Sequence, residues 1–216
     1  PPEVEEAIHV DDVRAARINA KAGLLAVLGG LAFSPLMWWM APAGSIHVVA
    51  LMAVLVVMGA VSFYNVKAAT PRTGLVVIGN AVIIVVVARG WSPILIAPSL
   101  AAVLAMSMVF TPRFSWLGSG VSIGVSMILA VLGPWLLEQL GVLSTTMSVD
   151  HEAILFHAPA IAGDEGPVLL VGTIYVAALL AGASMIAEIM RNRTRIAHRH
   201  LLLQAWQLRQ LVPRAA

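Results

Sequence analysis

His151, Glu152 and His157 are the chain's candidate metal ligands. Two imidazoles and a carboxylate suit zinc or copper, with His47 a further donor from a distant apolar segment. Their spacing matches no known ligand signature, so two other readings stay open. Thr145 to Val149 and Ala153 to His157 are both rich in strand formers, which reads as a short hairpin. The same stretch also reads as a loop that senses a small ligand. There is no cysteine, which excludes disulfides, thiol nucleophiles and Cys-ligated zinc or iron–sulfur chemistry. GxSxG, HExxH, GxxxxGK[ST] and kinase-type HRD and DFG do not occur, so no residue is assigned a catalytic role and no cofactor is expected.

The remaining polar candidates sit in apolar surroundings. Asn80 lies midway along one such stretch and is expected to make an interhelical hydrogen bond. Glu188 precedes Arg191 and Arg195 at helical spacing, which favours an ion pair over a proton site. Gly118, Gly120 and Gly124 resemble a phosphate-cradling loop only superficially, because no strand precedes them. The Gly120/Gly124 pair reads instead as a place where two helix backbones approach closely. Near the end of the chain, Met190, Thr194, Ala197, Leu201, Gln204, Leu208 and Leu211 recur at alternating spacings of four and three. That is a heptad seam, with Leu201, Leu208 and Leu211 as its apolar dimer candidates. Leu202, Leu203 and Trp206 form a second apolar face, so a helix lying on a membrane is the competing reading.

These residues need elements to hold them, and composition restricts what those can be. Of 216 residues, 60% are hydrophobic and 11% charged, and the mean hydropathy is +0.92. Water-soluble domains carry about 25% charged residues, so a single soluble domain and a disordered chain are both excluded. The net charge of +2 leaves no footprint for nucleic acid. Runs of roughly 20 apolar residues cross a bilayer as helices. Six candidates occur: Ala22 to Met40, Ile46 to Val66, Thr73 to Ala88, Ile94 to Phe110, Trp116 to Leu137 and Val168 to Ile189. Thr70-Pro71-Arg72 and Thr111-Pro112-Arg113 each read as a helix start, threonine capping and proline in the first turn. Trp38, Trp39, Trp91, Trp116 and Trp135 fall at span ends, where indole rings favour the headgroup level.

Six crossings put both termini on one side. Twelve of the thirteen basic residues fall on that side and Arg89 alone on the other, so the positive-inside rule makes both termini cytoplasmic. The expected architecture is an all-α membrane protein, a six-transmembrane-helix bundle. It carries a short extracytoplasmic β-hairpin-like insert and a cytoplasmic C-terminal helix. Residues 1–21 form a cytoplasmic linker helix and 22–189 the membrane domain, with its outer loop at 138–167. Residues 190–213 form the C-terminal helix. Opening on Pro1, with no signal segment, the chain reads as a piece of a longer protein.

The closing run Leu201-Leu202-Leu203-Gln204-Ala205-Trp206-Gln207-Leu208-Arg209-Gln210-Leu211-Val212-Pro213 resembles the end of the membrane region of bacterial eukaryotic-like serine/threonine protein kinases of the myxobacterial type. The run Arg89-Gly90-Trp91-Ser92-Pro93-Ile94-Leu95-Ile96-Ala97-Pro98, the following span ending in Pro112-Arg113, and the β-like insert before the last span are also similar. The resemblance implies a membrane-anchoring, sensory six-helix module in the bacterial inner membrane. Its partners would be the lipid bilayer, a cytoplasmic catalytic domain of the same polypeptide and a second copy of the chain. It transfers no catalytic residue to these positions. A small transporter or channel-like protein is the alternative, and a membrane-embedded enzyme ranks behind both.

Overall fold

The computed structural model describes residues 2–41, 45–68, 70–92, 96–109, 119–150, 153–161 and 165–211. The chain is mostly helical. The N-terminal flank and the start of the first apolar run form one helix, α1 (Pro2–Ala32), followed by α2 (Ser34–Met40). The run expected to cross as one helix breaks at Phe33, because Pro35 in the first turn of α2 has no N–H to donate backwards. Then come α3 (Ile46–Lys67), α4 (Thr73–Gly90), α5 (Ala97–Val109) and α6 (Gly120–Gln139). Strands β1 (Met147–Asp150) and β2 (Ala153–Phe156) precede α7 (Glu165–Leu211).

Among the described residues, five stretches are long and apolar enough to cross a membrane: His9–Met40, Ile46–Lys67, Thr73–Gly90, Gly120–Gln139 and Val168–Asn192. Helix α5 is as apolar, but its 13 residues reach only about 20 Å, against ~30 Å of hydrocarbon.

Contacts fix the register of the bundle. Arg17 meets Ala68, a Cβ at Gly23 would touch Ser62, one at Gly59 would touch Val27, and one at Gly30 would touch Leu55. The paired numbers run in opposite senses, so α1 and α3 are antiparallel neighbours. The same holds for α3 and α4, through Asn65 with Arg72, Met58 with Gly79, and His47 with Gly90. Helix α5 doubles back along α4, and Met108 near its end reaches Asn80. Helices α4 and α6 pack side by side with Arg89 on Glu138 at their C-terminal ends, so these two run in the same direction.

The interior has an apolar core around Val48, Ile84 and Ile123, but it also takes in polar groups while large apolar side chains cover the surface. Asn65, Asn80, Ser62, Thr73 and Glu138 are buried, while Val121 is 79% exposed and Leu129 60%. An apolar exterior around buried polar groups is what a hydrocarbon solvent selects.

Several expectations are corrected. Thr70 does not cap α4. The helix begins at Thr73, and Asn65 of α3 accepts the Arg72 N–H at 2.9 Å. Positions 120 and 124 do not mark a close approach, since a Cβ at either would meet nothing within 4 Å. The close approach is at Gly79, where a Cβ would overlap the buried Met58 thioether. Trp91 is 8% exposed and packs in the core instead of facing headgroups. The Thr111-Pro112-Arg113 repeat, Gly118 and Trp116 lie outside the described residues.

The chain divides into two compact units, residues 1–175 and 176–216. The second consists, as far as it is described, of the helical residues 176–211 of α7. Within it Glu188 pairs with Arg191, as the spacing predicts.

Candidate functional site

One end of the first unit holds a polar cluster built around Glu138, in the last turn of α6. Its side chain is 3% exposed and is paired with Arg89, itself 16% exposed, from the last turn of α4. Glu138 also accepts from the Thr146 backbone N–H at 2.9 Å and from the Thr146 hydroxyl at 2.8 Å. Arg89 donates onward to the Ser144 carbonyl at 2.9 Å and the Ser144 hydroxyl at 3.1 Å. Each charge therefore has several partners. This matters because an uncompensated buried charge costs several kcal/mol.

The chain comes off α6 through Gly141, which takes a positive φ of 72° to close the helix. Residues Ser144 and Thr146 then fold back onto the ion pair. Thr146 also accepts the His157 N–H at 2.8 Å, one step before β1. The strands continue that antiparallel register, Met147 opposite Phe156 and Asp150 opposite Ala153. The ion pair thus clamps the base of the strand pair to α4 and α6. A further tie holds the exit, where the Ala160 N–H donates to the Gly90 carbonyl at 2.9 Å. Beyond it, the Tyr175 hydroxyl of α7 lies 3.1 Å from the Ser99 hydroxyl and donates to the Ile96 carbonyl at 3.0 Å.

Of the residues expected to bind a metal or ligand, His151 and Glu152 lie outside the described residues. His157 is exposed at the base of the strand pair, and Ala153 lies at the far end of β2, roughly 13 Å away along the strand. His47 lies in the first turn of α3 against Gly90. Among the described residues, no group of three His, Asp or Glu could hold a metal. Asn80 donates within its own helix, to the Val76 carbonyl at 2.8 Å, and across to the Met108 thioether at 3.5 Å. Of the seam residues, Leu201, Leu208 and Leu211 all lie within α7, and Leu201 is 63% exposed.

The sequence contained a signal for the clasp. Arg89 is the single Lys or Arg between Arg72 and Arg113, and Glu138 is the single acid between Asp12 and Asp150. Their pairing requires α4 and α6 to run parallel, which neither local pattern specifies.

These features are the make-up of a helical membrane protein. No protein-family model, curated protein or solved structure matches the chain.

Proposed function

We propose that this chain is the membrane-anchoring and sensory module of a receptor-like bacterial signalling protein. Its output domain, by the resemblance of the closing run, is a serine/threonine kinase on the cytoplasmic side of the inner membrane. The observation that carries this reading is α7. Val168–Asn192 is enough for a crossing, yet the helix continues through residues 193–211, about 28 Å more. A helix that outlasts the bilayer with a heptad pattern can transmit rotation or separation to whatever follows it. The alternative, a transporter or channel, needs a polar path. Of the buried polar side chains among the described residues, Asn65, Asn80, Glu138 and Thr146 are already hydrogen-bonded, and the Ser45 hydroxyl, at the start of α3, is a lone exception too small to make a path.

A six-crossing topology with both ends cytoplasmic is part of the proposal. The parallel run of α4 and α6 supports it. Two neighbours pointing the same way require the chain between them to return across, and α5 begins that return. Reporters placed after Ala216 and between Ala69 and Thr70 should behave as cytoplasmic, and one at Gly163 as external. Cytoplasmic behaviour at Gly163 would overturn the topology. For signalling, a dimerisation-dependent catalytic domain is fused after Ala216, with one to four alanines inserted between Asn192 and Arg193. Activity should then vary with the helical period of 3.6 residues. Activity indifferent to insertion length would refute a signalling helix.

A further inference from the structure

At the end of the bundle opposite the clasp, three cations from three elements gather around the C-terminus of α3. Arg17 of α1 donates to the Ala68 carbonyl at 3.3 Å. The Lys67 ammonium lies over the Phe63 ring, 4.4 Å from its centroid, and the Arg72 guanidinium lies 5.3 Å from the Tyr64 centroid. The Arg72 backbone is held by Asn65, which fixes the turn. All three side chains are exposed. The ion pairs among the described residues are Arg89–Glu138 and Arg191–Glu188, so no described carboxylate pairs with Arg17, Lys67 or Arg72. Arg14 and Lys21, three residues before and four after Arg17, extend the same face of α1 and are exposed too.

We propose that this cluster binds the headgroup of an anionic phospholipid through Arg17, Lys67 and Arg72. The surface beneath it argues for a lipid over a free phosphate. Val56 and Val57 are 59% and 60% exposed, and they lie two turns deeper on α3, below Phe63 and Tyr64 respectively. Lys67 and Arg72 therefore each top a stripe that runs from a ring to an apolar branched side chain. A ligand with an anionic head and hydrocarbon tails matches both parts. Partly exposed aromatic rings at the junction suit the headgroup level. Having no acidic group, the cluster offers nothing to the cation of a zwitterionic headgroup. The hydrogen bond to Ala68 holds Arg17 in place without cancelling its charge, because the helix C-terminus carries only partial negative charge. The proposal rests on the membrane reading and not on an output domain, so it stands or falls separately from the signalling role.

The test uses the full chain purified in detergent and equilibrated with equal amounts of phosphatidylglycerol and phosphatidylcholine, with bound lipid read by native mass spectrometry. The wild type should retain phosphatidylglycerol preferentially. Lys67→Gln, which alters an exposed side chain outside the backbone hydrogen bonds, should lower that preference about fivefold. Arg17→Gln/Lys67→Gln/Arg72→Gln should abolish it, and Arg17→Lys/Arg72→Lys should keep it. Equal retention of the two lipids by the wild type, or an unchanged preference in Lys67→Gln, would overturn the proposal. So would inorganic phosphate binding as tightly as the phospholipid, which would make the ligand a soluble anion.

Discussion

Breaking the clasp from one side should cost far more than removing it whole. Glu138→Leu leaves the Arg89 guanidinium with the two Ser144 oxygens alone and strips the Thr146 N–H of its acceptor. Losing one partner of a buried pair costs about 3–5 kcal/mol. Arg89 keeps some solvent and two acceptors, so the lower end, about 3 kcal/mol, applies. Arg89→Met strands the Glu138 carboxylate, which at 3% exposure has little water but keeps both Thr146 donors, again about 3 kcal/mol. The double variant leaves no buried charge, only the Thr146 N–H and hydroxyl without their acceptor; the hydroxyl can rotate, so the fixed N–H carries most of a loss of about 1–3 kcal/mol. Taking 2 for that loss, the coupling is about 3 + 3 − 2 = 4 kcal/mol, close to a thousandfold in the folding equilibrium. Equilibrium unfolding in mixed micelles, read by tryptophan fluorescence and anchored by buried Trp91, measures it. Amide exchange at Thr146 and His157 should rise in each single variant. Additivity of the two substitutions within ~0.5 kcal/mol would refute the clasp as an energetic unit.

Three further outcomes follow from the packing. Gly79→Ala must displace Met58 and should destabilise by about 1–3 kcal/mol, whereas Gly124→Ala meets open space and should be neutral or slightly stabilising; paired unfolding curves compare them. Asn65→Leu removes the acceptor of the Arg72 N–H and should cost about 1 kcal/mol, comparable to losing a helix cap, with faster amide exchange confined to the start of α4. Replacing Leu201 and Leu208 with Asp should lower cross-linking of the solubilised chain if the seam dimerises, while unfolding of the first unit stays unchanged; an undiminished dimer yield rejects the seam.

Much of the helical make-up was legible because a run of apolar residues has one solution in hydrocarbon. Ile46–Lys67 and Thr73–Gly90 agree with the sequence boundaries to within two residues. What failed depended on partners. The Gly120/Gly124 spacing announces a small-residue face but cannot say whether a helix lies against it. Gly79, isolated in sequence, sits against Met58 because α3 and α4 are in antiparallel register. The start of α4 was read from its own residues, while its acceptor comes from Asn65, seven positions back on the preceding helix. The clasp escaped notice because Glu138 looked like the beginning of a loop. Its role needs the last turn of α6 brought beside the last turn of α4, 49 residues away.

The parallel placement of α4 and α6 also sets a timetable for biogenesis. Helix α3 packs on α1, α4 on α3 and α5 on α4, so each of these neighbours is already made when the next emerges. Arg89 is the exception. Its counter-charge is synthesised 49 residues later, a lag of about 2.5–10 s at ~5–20 residues per second. During that interval the guanidinium has neither Glu138 nor Ser144 to receive it. The nascent chain thus passes through a stage in which its far end holds an unmatched positive charge, and arrival of α6 discharges it.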